Sequence, residues 1–318
     1  MPLAHEVFSD LILFPDGTAR LKGSPGCGSH LLPLPTDCEE EVANLSSRLE
    51  QHCKAAMRYN HNDITYRVAR IDDVDGKRTW FLRRLADTVP QFDSLGLNPV
   101  VTSWLLSQNQ GLILFSGAQG SGKTTTASAF VAQRLELHGG HGVTFEVPVE
   151  LPLAGAWGSF GYCFQKEISN ESELAQEIER AHRYASPDII FIGEIRTRHA
   201  AFEALRVSLG SSRQLVVATI HGQDVITALE RLLTWAREQD GESAAQNLSD
   251  ALVAIIHLSL ESDAAGQREL TSPQFLLLPF TDESRGIRAK LREGKFQTLP
   301  DDMRQLKARI VTKGERGI

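Results

Sequence analysis

Apolar residues follow two rhythms along the chain, and the rhythm changes near residue 99. Before it, short alternating runs dominate. Residues 10–14 and 64–70 alternate and are rich in β-branched side chains, which predicts strands. Residues 39–58 instead carry Val42, Leu45, Leu49 and Cys53 at helical spacing. Asp75-Gly76 lies between the runs 66–71 and 79–85, and Asp-Gly supplies the positive φ of a tight hairpin turn. The stretch 23–37, dotted with Gly23, Pro25, Gly26, Gly28, Pro33 and Pro35, reads as a long surface loop. Residues 86–99 hold Pro90, Gly96 and Pro99 with little regular pattern, which predicts a linker.

Beyond the linker, short apolar runs alternate with amphipathic stretches. Strands are predicted at 112–116, 143–147, 189–192 and 215–220, and helices at 123–138, 171–183, 198–209 and 224–238. In the second helix Leu174, Ile178 and Ala181 share a face, and Asn170 or Ser172 is a candidate cap. Such alternation implies an α/β domain, a parallel sheet flanked by helices. From about Leu248 strand signals stop, and the remainder reads as mainly helical. The expected organisation is a smaller α+β N-terminal domain (1–86), a linker (87–98), an α/β domain (99–247) and a helical C-terminal region (248–318).

Composition narrows the function classes. Of 318 residues, 42% are hydrophobic and 23% charged, enough apolar content to build cores. Lys and Arg number 33 against 40 Asp and Glu, a net charge of −7. That balance argues against non-specific coating of nucleic acid, and no direct nucleic-acid partner is expected. No run approaches the roughly 18–20 apolar residues of a membrane span, and the start of the chain lacks the pattern of a signal peptide. Cys27, Cys38, Cys53 and Cys163 form no CxxC pair. These features predict a cytoplasmic protein.

The strongest chemical signal is Gly117-Ala-Gln-Gly120-Ser121-Gly122-Lys123-Thr124, which fits G-x-x-x-x-G-K-[ST] between a predicted strand and a predicted helix. Glycines let backbone amides wrap phosphate oxygens, and the helix N-terminus adds partial positive charge. Lys123 would reach the β- and γ-phosphates, and Thr124, followed by Thr125, would ligate Mg²⁺ through its hydroxyl. A nucleoside triphosphate with Mg²⁺ is therefore the expected ligand. A second signal is the apolar run Ile189-Ile-Phe-Ile192 ending in Gly193-Glu194, where a carboxylate at the C-terminal end of a parallel strand orders Mg²⁺ or polarises water.

These elements resemble the secretion/traffic ATPases that power type IV pili, type II secretion and type IV secretion. The run 187–196, P-D-I-I-F-I-G-E-I-R, is similar to that family's Walker B signature. Ala218-Thr219-Ile220-His221 resembles its His box, and Glu146-Val147-Pro148-Val149-Glu150 its Asp box, with Val147 where the family has Asp. Gln165-Lys166-Glu167-Ile168 is similar to a Q-R-E-[VI] motif, with Lys166 replacing Arg. Within the family the resemblance is to PilT-type pilus-retraction ATPases, through residues 286–295 and Leu299-Pro300.

The resemblance implies a RecA-like P-loop domain and the reaction ATP plus water to ADP plus phosphate. It implies catalytic roles for Glu194, His221 and Glu150. It also implies a homo-hexameric ring, an inner-membrane platform protein as partner, and peripheral association with that membrane. Residues 86–99 would act as a hinge. Arg67, Arg83 and Arg84, which have no evident partner within the chain, resemble arginines that reach a neighbouring subunit's nucleotide. A conjugative or type IVB secretion ATPase and a weakly hydrolysing regulatory module remain as alternatives. Residues 286–295 are expected to form a short amphipathic helix with Ile287 and Leu291 inward and Arg288, Arg292 and Lys295 on a solvated face.

Overall fold

The structure is a computed structural model. It describes residues 2–168, 171–210, 213–262, 268–271 and 273–318. Two compact units emerge: residues 1–88 with 150–152, and residues 89–149 with 153–318.

The first unit is one antiparallel sheet covered by a helix. Its strands are β1 (Asp10–Leu13), β2 (Ala19–Lys22), β3 (Leu32–Pro33), β4 (Ala56–His61), β5 (Ile64–Asp72) and β6 (Arg78–Arg84), in the order β3-β2-β1-β6-β5-β4. The predicted hairpin is present: Asp72 pairs with Arg78, and Gly76 turns the chain at φ 77°. The helix Glu39–Glu50 buries Val42, Leu45 and Leu49 against Leu11, Tyr66, Val68, Trp80 and Leu82. It stops well short of residue 58. Residues 51–55 are exposed, and the alternation that follows, with Met57 and His61 buried, belongs to β4.

The second unit is an eight-stranded sheet between two helical layers. Its strands are β7 (Gly111–Gly117), β8 (Gly140–Glu146), β9 (Gly155–Trp157), β10 (Gly161–Glu167), β11 (Ile189–Ile195), β12 (Leu215–His221), β13 (Leu252–Leu258) and β16 (Gln274–Leu277); β14 (Leu260–Ser262) and β15 (Arg268–Leu270) pair separately. The order is β16-β13-β7-β12-β11-β8-β10-β9, parallel from β13 through β10 and antiparallel at both edges. Leu112, Leu114, Ile190, Ile192, Val216 and Ala218 face one apolar core with helices Glu171–Arg180, Arg198–Leu209 and Val225–Asp240. Ile113, Phe115, Ile189, Phe191 and Val217 face the other, with helices Pro99–Ser107 and Lys123–His138. Burial on both faces explains why these strands read as unbroken apolar runs.

The expectation that strands end near Leu248 is corrected. β13 enters the sheet directly beside β7, and β16 closes the edge. All seven residues of β13 are buried, so the run has no period to announce a strand. The helical part of the C-terminal region follows, at Arg285–Arg292 and Leu299–Lys313. Asn170, one of the two candidate caps, lies outside the described residues.

Two buried histidines set a pH dependence. Burial pushes the imidazoles of His61 and His257 below their ordinary value of 6.5; Glu41 partly opposes this at His61, as Asp224 does at His257, where Lys123 reinforces it. Near neutral pH both are uncharged folded or unfolded, and stability is intact. Below about 6.5 the unfolded chain takes up protons that the folded chain refuses, so stability is lost as the pH falls. The melting temperature should be level between pH 8 and 7 and drop between pH 6.5 and 5. A level profile across that lower range would contradict the assignment.

Candidate functional site

The phosphate loop leaves the centre of the sheet at the end of β7 and enters the helix Lys123–His138. Its glycines are required sterically. A Cβ on Gly117 would lie 2.3 Å from Ser121 Oγ and 2.4 Å from Leu258 O, and Gly120 and Gly122 sit at φ 76° and 86°. Side chains there would fill the cradle that an anion needs. Lys123, only 7% exposed, donates from Nζ to Ala118 O (2.8 Å) across the loop. Thr124 and Thr125 follow, half-buried, in the first turn.

Strand register delivers the next group. His221, the last residue of β12, pairs in register with Gly117. Its Nδ1 lies 3.3 Å from Lys123 Nζ, and its Nε2 lies 2.7 Å from Glu194 Oε1. Nδ1 also lies 3.4 Å from Gly117 O, and the approach of Nε2 to Glu194 is an ion-pair contact that leaves Oε1 without a hydrogen bond. Arg196 Nε donates to Glu194 Oε2 (2.7 Å), and Arg231 Nη1 donates to His221 O (2.9 Å). Lys123, His221, Glu194 and Arg196 thus form one line of close polar contacts from the phosphate loop to β11.

The acidic-box residues divide. Glu146, 1% exposed at the end of β8, accepts from Thr144 Oγ1 (2.8 Å) and Gln165 Nε2 (2.7 Å). Val147 packs at the margin of an apolar core, which accounts for an apolar residue there. Glu150 belongs to the first unit, where it accepts from Arg67 Nη1 (3.2 Å). The Lys123, His221 and Glu194 contacts lie wholly within the second unit. Gln165 Oε1 also accepts from Leu153 N and Ala154 N, and Glu167 accepts from Val149 N, so this motif fixes the backbone on both sides of residues 150–152. Lys166 pairs with Glu177 (2.6 Å).

The expectation that the three arginines lack partners within the chain is corrected. Arg67 meets Glu150; Arg83 Nε donates to Asp10 (2.9 Å); Arg84 donates to Glu6 O (3.1 Å) and lies over the Phe8 ring. Arg288 also departs from expectation. It is 8% exposed, pointing inward from the helix Arg285–Arg292. Its amphipathic spacing was legible, but the carbonyls waiting for it inside were not.

Sequence reasoning missed a cavity of about 550 Å³ beside the loop, lined by Ser94, Leu95, Gly96, Ser121, Gly122, Thr125, Thr126, Leu260 and Leu270. Residues 94–96 come from the predicted linker, and Leu260 and Leu270 from a region with no strand signal. Among the described residues, no group of three or more His, Cys, Asp or Glu side chains is arranged to hold a metal. A Mg²⁺ ion that arrives on phosphate oxygens needs only one or two protein oxygens, and a first-turn threonine with a strand-end carboxylate fits that demand.

The sequence model of the family described as Type II/IV secretion system protein matches residues 38–292. YggR of Escherichia coli K12 is 33% identical over 69% of this chain and 64% of its own length. The type IV pilus ATPase PilU of Pseudomonas aeruginosa is 29% identical over 59% of this chain and 48% of its own. The chain thus matches less than two thirds of the length of either relative. Among solved structures, the pilus retraction motor PilT with bound ADP superposes with a TM-score of 0.74 at 25% identity, over 94% of this chain and 86% of that one.

Proposed function

The chain belongs to the type II/IV secretion system protein family, and from that premise we propose that it is an ATP-hydrolysing motor of the pilus-retraction type. The observation that carries the reading is the line Lys123–His221–Glu194 at the phosphate loop. Lys123 exchanges its bond to Ala118 O for the β- and γ-phosphates. The amides of Gly120, Ser121, Gly122 and Thr124 cradle the phosphates, and the cavity beside Thr125 holds the rest of the nucleotide. Thr124 would hold Mg²⁺, which would supply positive charge against the phosphoryl oxygens. Glu194 orients and deprotonates the attacking water, and His221 holds that carboxylate while sensing the lysine. No helix among the described residues is long and apolar enough to cross a membrane; the proposed partner is an inner-membrane platform protein, met peripherally.

The proposed assembly is a ring of six copies. Arg67 is tied by an ion pair to the exposed Glu150, a pair that costs under about 1 kcal/mol to release, whereas Arg83 pairs with Asp10, which is only 19% exposed. Arg67 is therefore available to a neighbouring protomer's nucleotide, together with Glu150 once Arg67 lets it go; Arg83 and Arg84 would first have to leave Asp10, Glu6 O and the Phe8 ring. Phosphate release at saturating Mg-ATP, with Lys123→Ala as the inactive control, tests the hydrolysis. Light scattering with a non-hydrolysable ATP analogue should show a species near six protomers. A strict monomer at micromolar concentration with undiminished ATPase activity would refute the ring. Loss of pilus retraction on deletion, with substrate transfer intact, separates the retraction reading from the export alternative.

A further inference from the structure

The ladder between β11 and β12 carries an irregularity next to Glu194. Partners run from Ile189 with Leu215 to Ile192 with Ala218, then resume at Ile195 with Ile220. Gly193 and Glu194 thus face Thr219 alone, which is a β-bulge. Its effect follows from the period of two along a strand. Ile190 and Ile192 point into the same apolar core as Val216, Ala218 and Ile220, while Ile189 and Phe191 point into the other. Continued without interruption, the alternation would drive Glu194 into the first core and turn Ile195 out of it. Instead Ile195 lies in the first core, 1% exposed, and Glu194 meets His221 and Arg196. The extra residue re-aims the carboxylate without unpacking the strand.

Two contacts hold the bulge. Thr219, 1% exposed, donates from Oγ1 to Gly193 O at 2.5 Å. Behind it, a Cβ on Gly193 would come within 3.0 Å of Glu146 Cγ and 3.2 Å of Glu146 Cα. Gly193 is therefore seated against β8 on one side and latched by a hydroxyl of β12 on the other. We propose that Thr219 is a positioning residue for Glu194, its hydroxyl holding the bulge in the register that presents the carboxylate to the phosphate loop. The inference rests on the reading of Glu194 as the residue that activates water.

The test compares Thr219→Ala and Thr219→Ser in the full chain. The alanine variant should lose at least tenfold in kcat, while its affinity for ATP and its KM stay within twofold of the parent. The serine variant, which keeps the donor, should restore most of the rate. Should Thr219→Ala fail to fold, Thr219→Val, which fills the space without donating, is read in the same way. An unchanged kcat, an equal loss in the serine variant, or a parallel loss of ATP affinity would overturn the latch. The underlying reading fails differently: Glu194→Gln would then hydrolyse at the parent rate, whatever Thr219 does.

Discussion

Glu194→Gln is expected to bind ATP as the parent does and to hydrolyse it about a hundredfold more slowly or worse, the scale on which a positioned general base contributes. The substitution keeps the shape of the side chain. Its amide oxygen can keep the 2.7 Å approach to His221 Nε2. The amide nitrogen, however, faces Arg196, and neither can accept from the other. A carboxamide, unlike the carboxylate, cannot take the proton of the attacking water. Calorimetric titration with ATP and single-turnover hydrolysis, run on the same preparation, separate the two effects. Hydrolysis at the parent rate would remove Glu194 from the mechanism. Weakened binding would assign it to the nucleotide rather than to the water.

Arg288→Ala should destabilise the chain markedly, although Arg288 reads along the sequence as a surface residue. The guanidinium donates to Ser249 O and to Leu278 O (2.8 Å), and it lies 4.7 Å from the Phe280 ring centroid. Truncation leaves two buried carbonyls without their donor, at about 1–3 kcal/mol each. A total on the order of 3 kcal/mol lowers the melting temperature of a protein this size by several degrees. Arg292 is the contrast. It is half-exposed and pairs with Asp250 at 3.2 Å, so Arg292→Ala should cost under about 0.5 kcal/mol. Arg288→Lys should not restore stability, because one ammonium does not reproduce the planar fork that spans two carbonyls. Thermal melts of the three variants decide the matter, and equal melting temperatures for Arg288→Ala and Arg292→Ala would overturn it.

The parts of the fold that sequence could show are those governed by local rules. The helices Lys123–His138 and Arg198–Leu209 have the bounds predicted for them, because a glycine-rich loop opens one, Thr197 caps the other, and Gly139 and Gly210 follow their last residues. The phosphate loop was legible for the same reason: steric need writes glycine into the chain. What was illegible depends on partners distant in sequence. Leu252–Leu258 is a strand because Leu112–Gly117 lies beside it. Arg288 is inward because Ser249 and Leu278 present carbonyls. The link from Glu194 to His221 requires a bulge whose only local trace is Gly193. Arg67 and Glu150 are 83 residues apart, and no pattern along the chain joins them.

The place of Leu252–Leu258 in the sheet has a consequence for anyone who would graft or trim this chain. A chain cut after residue 247 would lay open one whole edge of Gly111–Gly117, a strand with every residue buried. Its unpaired amides and carbonyls, flanked by apolar side chains on both faces, would be a template for joining other copies edge to edge. The cut would also remove the Leu258 carbonyl that closes over Gly117. The nucleotide-binding half is therefore not a cassette that can be exchanged between relatives without its tail. A chimera has to carry the strand beyond residue 251 together with the loop it braces.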